Sequence, residues 1–516
     1  MKRLVAYLIV CVLTVTLTCG AFADGYTYTE PEKSTRMPRS TPEAHGMSSQ
    51  YILDLLDAID YNAAEVHNIL MAIDGEVVFE GHYAPYTALD PHIMFSGTKI
   101  FTNAAVGVAV TQGYLHLDDY VYEVLKDYVT EPVSELQAKI QLKHLLTMTS
   151  GVDRMMSGSE LRPLTTSWIE HILTEPILHE PGTFYMYSSG NTMLSSAMVT
   201  VATGKTCLDL LNTTGFCEEL GIKNFTWDMS PDGFNAGHGG IKITAEDLAK
   251  VGQLYMNGGV WNGKQILTKE WCDLAIGYEK TLEDQGTYAY HWVNNHDGLY
   301  YVASGSYGQT LAIYPKLNMV IALQAGTNKN ISEILYENIF KPYSEAKDAG
   351  ITQEPDEALS AALAQRASTL NLMFATDFTA SPIGEAIDGV TFTAGENKYG
   401  ITSVKLDVTD NYIDYTMTDA RGTHTIRNGI WQWLKGETSM TSNYTHHQYQ
   451  YPSEPVYAYA EWKDANTLQM TWRFPELSFV DTLVLTFNED GSQFGMVRSV
   501  NVNSGPLVCD EVTFTK

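Results

Sequence analysis

The chain is short of positive charge, cysteine and long apolar runs, and each shortage removes a class of function. Lysine and arginine total 32 against 61 aspartates and glutamates, a formal charge of −29. Phosphate backbones and anionic lipid surfaces repel such a chain, so nucleic acid is not expected as a partner. Neither Cys-x-x-Cys nor His-x-x-x-His occurs. The adjacent His446 and His447 would point to opposite faces of a strand, so no metal site is expected. Gly-x-Ser-x-Gly is also missing, which argues against the nucleophile elbow of an α/β-hydrolase. The one strongly apolar run lies at the start: Lys2 and Arg3, then Leu4 to about Leu17, shorter than the ~20 residues a bilayer needs. With the small-x-small site Ala21-Phe22-Ala23 after it, this predicts a secretory signal peptide over 1–23, cleaved before Asp24. Lipidation at Cys19 fits less well, because Thr16 and Thr18 stand where a leucine and a very small residue are expected. The mature chain is then expected to be secreted or periplasmic, with no later segment able to span a membrane. Loss of the two basic residues takes its formal charge from −29 to −31.

Four cysteines remain: Cys207, Cys217, Cys272 and Cys509. Export would allow them to oxidise, and Cys207 with Cys217 is the closest pair, but spacing alone shows no bridge.

What is present organises into a large mixed region and a smaller β region. "NILMAIDGEVVFEGHY" predicts two strands around Asp74-Gly75, a dipeptide that tolerates positive φ at both turn positions. "YYVASGSYGQTLAIYPKLNMVIALQAG" predicts a strand followed by a hairpin turning at Pro315 to Asn318. The text between is mainly helical; in "ITAEDLAKVGQLYMNGG", Thr244 is the expected N-cap and Gly258-Gly259 the stop. The expected fold is thus α/β of the α+β kind, an antiparallel sheet built from both ends of 24–350 with a helical insertion. A helical linker over 351–380 and an antiparallel β-barrel or sandwich over 381–516 follow, the latter from alternation such as "TLQMTWRF". Its aromatics, among them Trp431, Trp433, Tyr449, Tyr451 and Trp472, suit a core better than a ligand platform.

The candidate chemistry is in "PHIMFSGTKIFTNAAVGVAVTQG", residues 91–113, where Ser96 precedes Lys99 by three. With 30 serines and 22 lysines, about one Ser-x-x-Lys per chain arises by chance. There are two; the second, Ser344 to Lys347, sits in polar text and reads as a solvated helix end. A helix from Ser96 to about Val110 would put both side chains on one face and aim free backbone N–H groups at the serine oxygen. A serine hydroxyl is a weak nucleophile without such help.

The text here resembles the serine β-lactamase-like hydrolases. "FSGTK", "IQLKHLLTMTSGV" (140–152), "PGTFYMYSSGNTMLSSAMV" (181–199), "GGIKITAEDLAKVGQLYMNGGVWNGKQIL" and "ASGSYGQTLAIYP" occur in that family's order, over about residues 45–340. The family includes class C β-lactamases, D-alanyl-D-alanine carboxypeptidases, esterases and amino-acid-oligomer amidases. The resemblance implies a β-lactamase/transpeptidase-like fold with Ser96 as acylated nucleophile, Lys99 as its partner and Tyr187 as proton relay. It further implies oxyanion donors from the backbone of Ser96 and Ser306, and a cleft reached by His238 and Gln309. No metal or organic cofactor is implied. Two departures stand out: Ala303-Ser304-Gly305 replaces a Lys-Thr-Gly type motif, and Ser189 stands where asparagine is common. Loss of that lysine removes the cation that meets a substrate carboxylate. The expected function is an exported serine hydrolase acting on a small-molecule or peptide ester or amide. A catalytically silent relative that binds a cell-surface peptide or glycan is the competing expectation, and a structural secreted protein with an accidental "SGTK" is the third.

Overall fold

The computed structural model describes residues 34–223, 225–277, 288–295, 299–372, 380–441, 446 and 449–516. The expected signal peptide and Cys19 lie outside the described residues, as do His447 and residues 373–379 of the expected linker.

After helix α1 (Ser49–Tyr61), strands β1 (Val66–Ile73) and β2 (Glu76–His82) form the first hairpin. Its turn has Asp74 and Gly75 at φ 53° and 82°, the left-handed pair that the dipeptide predicted. Short β3 (His92–Ile93) leads into α2 (Lys99–Thr111), whose residues Lys99 to Ala109 are all buried. Helix α3 (Ser189–Thr203), strand β4 (Ile241–Ile243) and helix α4 (Ala245–Met256) follow within the helical insertion. Thr244 caps α4 by accepting from the Asp247 amide at 3.2 Å, and Gly258 and Gly259 end it at positive φ. Strands β5 (Tyr288–Ala289), β6 (Trp292–Asn295), β7 (Tyr300–Gly305), β8 (Gln309–Tyr314) and β9 (Met319–Ala325) complete a sheet of order β2-β1-β9-β8-β7-β6-β5. Every pairing in it is antiparallel, and β1 lies directly against β9. The two ends of the region therefore share one sheet, with α2, α3 and α4 in the core on one side. The two hairpin turns also touch: the Asn318 side chain donates to the Asp74 carboxylate at 2.8 Å.

Helix α5 (Glu357–Ser368) precedes the β region. That region runs β10 (Val390–Ala394), β11 (Ser403–Val408), β12 (Tyr412–Asp419), β13 (Gly422–Ile430), β14 (Leu434–Thr438), β15 (Glu454–Trp462), β16 (Thr467–Arg473), β17 (Val480–Phe487), β18 (Gln493–Val500) and β19 (Val512–Thr515). Nine of these strands close in the order β13-β12-β11-β10-β19-β18-β17-β16-β15, and a parallel pairing of Gly429–Ile430 with Tyr459–Ala460 joins the ends. A closed barrel removes the exposed edges a sandwich would keep. Most of the aromatics fill cores: Trp472 and Tyr449 are buried, while Trp431 alone of the five is freely exposed.

The four cysteines are all free thiols, so the closest pair, Cys207 and Cys217, is not bridged. Burial raises both thiols to about 12, which leaves them unreactive. At the second Ser-x-x-Lys, Lys347 lies over the Tyr343 ring at 5.7 Å and the Ser344 hydroxyl is met by Lys316 at 3.4 Å.

Candidate active site

Ser96 lies in a short 3-10 turn, Phe95–Thr98, and the α-helix begins only at Lys99. The expected uninterrupted helix from Ser96 is corrected here, because Phe95 is left-handed at φ 44° and the Gly97 amide closes back on the Met94 carbonyl at 2.8 Å. A left-handed bulky residue costs about 1–3 kcal/mol and persists only where its surroundings hold it. The serine and lysine still meet across one turn: Lys99 Nζ donates to Ser96 Oγ at 3.1 Å. The lysine is only 2% exposed, and its second bond goes to the carbonyl of His238 at 3.2 Å. Its Nζ also sits 4.9 Å from the centroid of the Tyr187 ring. Three residues from separate stretches of sequence thus converge on one nitrogen.

The segment 236–243 clamps this turn from one side. Thr102 donates to the Gly237 carbonyl at 2.7 Å, and the Ile241 amide donates to Thr98 Oγ1 at 3.2 Å. At Gly237 a Cβ would fall 2.5 Å from the Thr192 carbonyl, so only glycine lets this segment approach α3 so closely. Tyr187 is half-buried and presents its ring to the edge of Tyr288 at 5.7 Å. Ser189 is buried at the first position of α3, where its amide donates to Met156 O at 2.9 Å.

On the other side, β7 delivers Ser304 and Gly305 to the same place. A Cβ on Gly305 would fall 2.0 Å from the carbonyl of Met94, so the strand end lies in contact with the backbone two residues before Ser96. Gly305→Ala is expected to push β7 off that backbone and slow acylation by about 100-fold, the scale of a misplaced reacting group. The labelling rate of Ser96 checks this, and a wild-type rate in the variant would show that the contact does not matter. Ser304 and Ser306 are exposed, and Tyr307 after them is left-handed at φ 63°.

Two residues do not turn their side chains to the site as the family pattern suggested. Gln309 is fully buried behind the turn, its amide nitrogen within reach of the carbonyls of Tyr307 at 3.1 Å and Ala325 at 2.7 Å. His238 contributes its carbonyl rather than its ring: among the described residues, neither buried ring nitrogen has a hydrogen-bond partner. Burial, with Arg162 and Lys99 nearby, holds that imidazole well below its ordinary value and therefore neutral.

Other contributors carry no sequence motif. His291 donates through Nδ1 to the Lys99 carbonyl at 2.9 Å. Burial, then the Lys99 charge, lowers its pKa from 6.5 to about 3. The folded chain thus binds fewer protons at this position than the unfolded chain between pH 6.5 and about 3. The resulting stabilisation is fully present above pH 6.5 and is lost as the pH falls through that window. His291→Asn is expected to flatten the decline of stability by up to about 1.4 kcal/mol per pH unit, read from urea midpoints at neutral and mildly acidic pH. An unchanged slope would remove His291 as the cause. Arg162 is a half-buried cation near the site, but it is already engaged. It bonds Asp228 at 3.0 Å, lies 3.6 Å over the Tyr449 ring and donates to that tyrosine's hydroxyl. It does not stand in for the lysine that Ser304 and its neighbours lack. Among the described residues, no group of histidine, cysteine, aspartate and glutamate is placed to hold a metal ion.

The β-lactamase family's sequence profile matches residues 68–341, more than half of the 516 residues, so the chain belongs to the β-lactamase family. Within it, the chain is similar to the 6-aminohexanoate-dimer hydrolase of Paenarthrobacter ureafaciens, 25% identical over 273 residues, 48% of this chain and 69% of that one. It is also similar to monacolin J acid methylbutanoyltransferase of Aspergillus terreus, 27% identical over 160 residues, 27% of this chain and 38% of that one. Among solved structures, one described as a 6-aminohexanoate-dimer hydrolase from Bacillus anthracis shares the fold. Its TM-score is 0.52 at 22% identity, covering 63% of this chain and 90% of that chain. No helix among the described residues is long and apolar enough to cross a membrane.

Proposed function

We propose that this protein is an exported serine hydrolase that cleaves small ester or amide substrates through an acyl-enzyme on Ser96. The observation that carries the proposal is the 3.1 Å bond from a buried Lys99 Nζ to Ser96 Oγ at the head of a buried helix. In the first half-reaction Ser96 Oγ bonds to the substrate carbonyl carbon as its proton passes to Lys99 and Tyr187. That proton moves on to the leaving nitrogen or oxygen as the scissile bond breaks. Water then attacks the acyl carbon, gives up a proton to the same pair, and frees Ser96 and the acid. Backbone N–H groups of Ser96 and Ser306 hold the oxyanion, each such donor worth about 3 kcal/mol.

Ala303 in place of a lysine disfavours substrates gripped by a carboxylate, such as β-lactams and D-alanyl peptides. Similarity to an amide-cleaving hydrolase of aminohexanoate dimers supports short linear amides as the first class to try, beside simple esters. The test is covalent labelling: a fluorophosphonate should add once to the wild-type chain and not to Ser96→Ala, by intact mass. A folded wild-type chain that takes no label would sink the proposal in favour of a silent binder.

A further inference from the structure

The two expected oxyanion donors are flanked by the same anomaly. Phe95, just before Ser96, and Tyr307, just after Ser306, are bulky aromatics held at φ 44° and 63°. Nothing in either residue's chemistry favours that conformation, so something outside must hold it. Both rings pack on one side chain of the barrel. Phe479 lies edge-on to Phe95 at 6.2 Å and to Tyr307 at 5.9 Å, and those two rings meet each other at 5.2 Å. Phe95 and Ile93 are accordingly counted in the barrel's core rather than that of the helical region.

The hairpin that carries Phe479 joins β16 to β17 and grips the site's backbone as well. The Ile93 amide donates to the Glu476 carbonyl at 3.0 Å. Ser478 Oγ lies 2.9 Å from the Gln309 amide nitrogen, which also faces the carbonyls of Ser306 at 3.3 Å and Tyr307. Ser478 further approaches the end of β9, where Asn501 ties the Gly326 carbonyl at 2.9 Å. One loop of the barrel therefore touches the backbone before Ser96 directly and the turn after Ser306 through the Gln309 side chain.

We propose that the barrel hairpin 474–479 is a positioning device for acylation: Phe479 wedges Phe95 and Tyr307 into their left-handed conformations and so aligns the N–H groups of Ser96 and Ser306. This rests on the proposed serine-hydrolase function, and it makes the barrel part of the reaction machinery rather than an appendage. Buried Gln309 is the second positioning residue, acting through the Ser306–Tyr307 turn.

The test compares fluorophosphonate labelling rates of the full chain in wild-type, Phe479→Ala, Phe479→Leu and Phe514→Ala forms, beside their melting temperatures. Phe514 is a fully buried barrel residue remote in sequence from the hairpin and stacked on Phe494, so its loss loosens the barrel without touching the site. Phe479→Ala should label about 10- to 100-fold more slowly, in the range expected for misaligned groups, and Phe479→Leu should recover most of the rate. Phe514→Ala should label at the wild-type rate despite a lower melting temperature. Equal slowing in Phe479→Ala and Phe514→Ala, or none in Phe479→Ala, would overturn the proposal. Should Phe479→Ala not fold, the double variant Ser478→Ala/Phe479→Leu decides by the same rate, and wild-type labelling there overturns it. A wild-type chain that does not label at all refutes the hydrolase function itself, an outcome distinct from a labelled wild-type with unaffected hairpin variants.

Discussion

Ser96→Ala is expected to lower turnover of any ester or amide substrate by about four to six orders of magnitude, the loss seen when a serine nucleophile that works as a unit with its base is removed. The fold should survive. Ser96 is half-buried, and its side-chain partner, Lys99 Nζ, keeps its bond to the His238 carbonyl. The loss of one hydroxyl hydrogen bond costs about 1 kcal/mol. Intact mass after labelling, with a melting curve on the same sample, separates the two effects. Labelling that persists at another residue of a folded Ser96→Ala chain would reassign the nucleophile, and unchanged hydrolysis would place the chemistry elsewhere.

Lys99→Met is the second large effect, and its sign on stability is as informative as its effect on rate. Without an amine beside Ser96 Oγ there is no group to take the proton at 3.1 Å, so kcat/KM should fall by about 100- to 10,000-fold. The thermodynamic expectation runs the other way. Lys99 is 2% exposed, and burying its polar amine in that position requires desolvation that two hydrogen bonds only partly offset. Methionine fills a similar volume without charge, so melting temperature should hold or rise while activity collapses. That opposition marks a residue retained for chemistry at the expense of stability. If Lys99→Met lowers both together, or keeps more than about a tenth of the activity, the lysine is a structural strut and the proton acceptor must be sought at Tyr187.

Much of the fold was legible because it depends on local chemistry. Asp74-Gly75 and Asn318 make their turns at positive φ, which these residue types accept, and Thr244 with Gly258-Gly259 bounds a helix by capping and stop. Alternation after residue 380 announced strands, but whether they closed was not readable. Closure rests on the parallel pairing of Gly429–Ile430 with Tyr459–Ala460, a contact between segments about thirty residues apart with no periodic signature. At the site, Ser96 and Lys99 were legible as neighbours one turn apart. Gln309 and His238 were visible as polar residues in the right stretches, yet their orientation was not. Gln309 turned inward because the carbonyls of its own hairpin needed a donor, and His238 offers only its backbone because its ring packs beside Trp168.

Sequence alone determined the order of motifs, the spacing of Ser96 and Lys99, the alanine at 303 where a lysine is common and the two-part division of α/β and β text. These follow from neighbours along the chain, whose geometry the backbone restricts to a few conformations. Tertiary structure alone decided that the His238 carbonyl and the Tyr187 ring meet Lys99. It also decided that Arg162 is consumed by Asp228 and Tyr449, and that a barrel residue nearly four hundred positions from Ser96 packs on the strained Phe95 beside it. Those contacts are set by how apolar surfaces of separate elements bury one another, and the resulting packing is dense enough to hold rare backbone conformations that no local preference would choose.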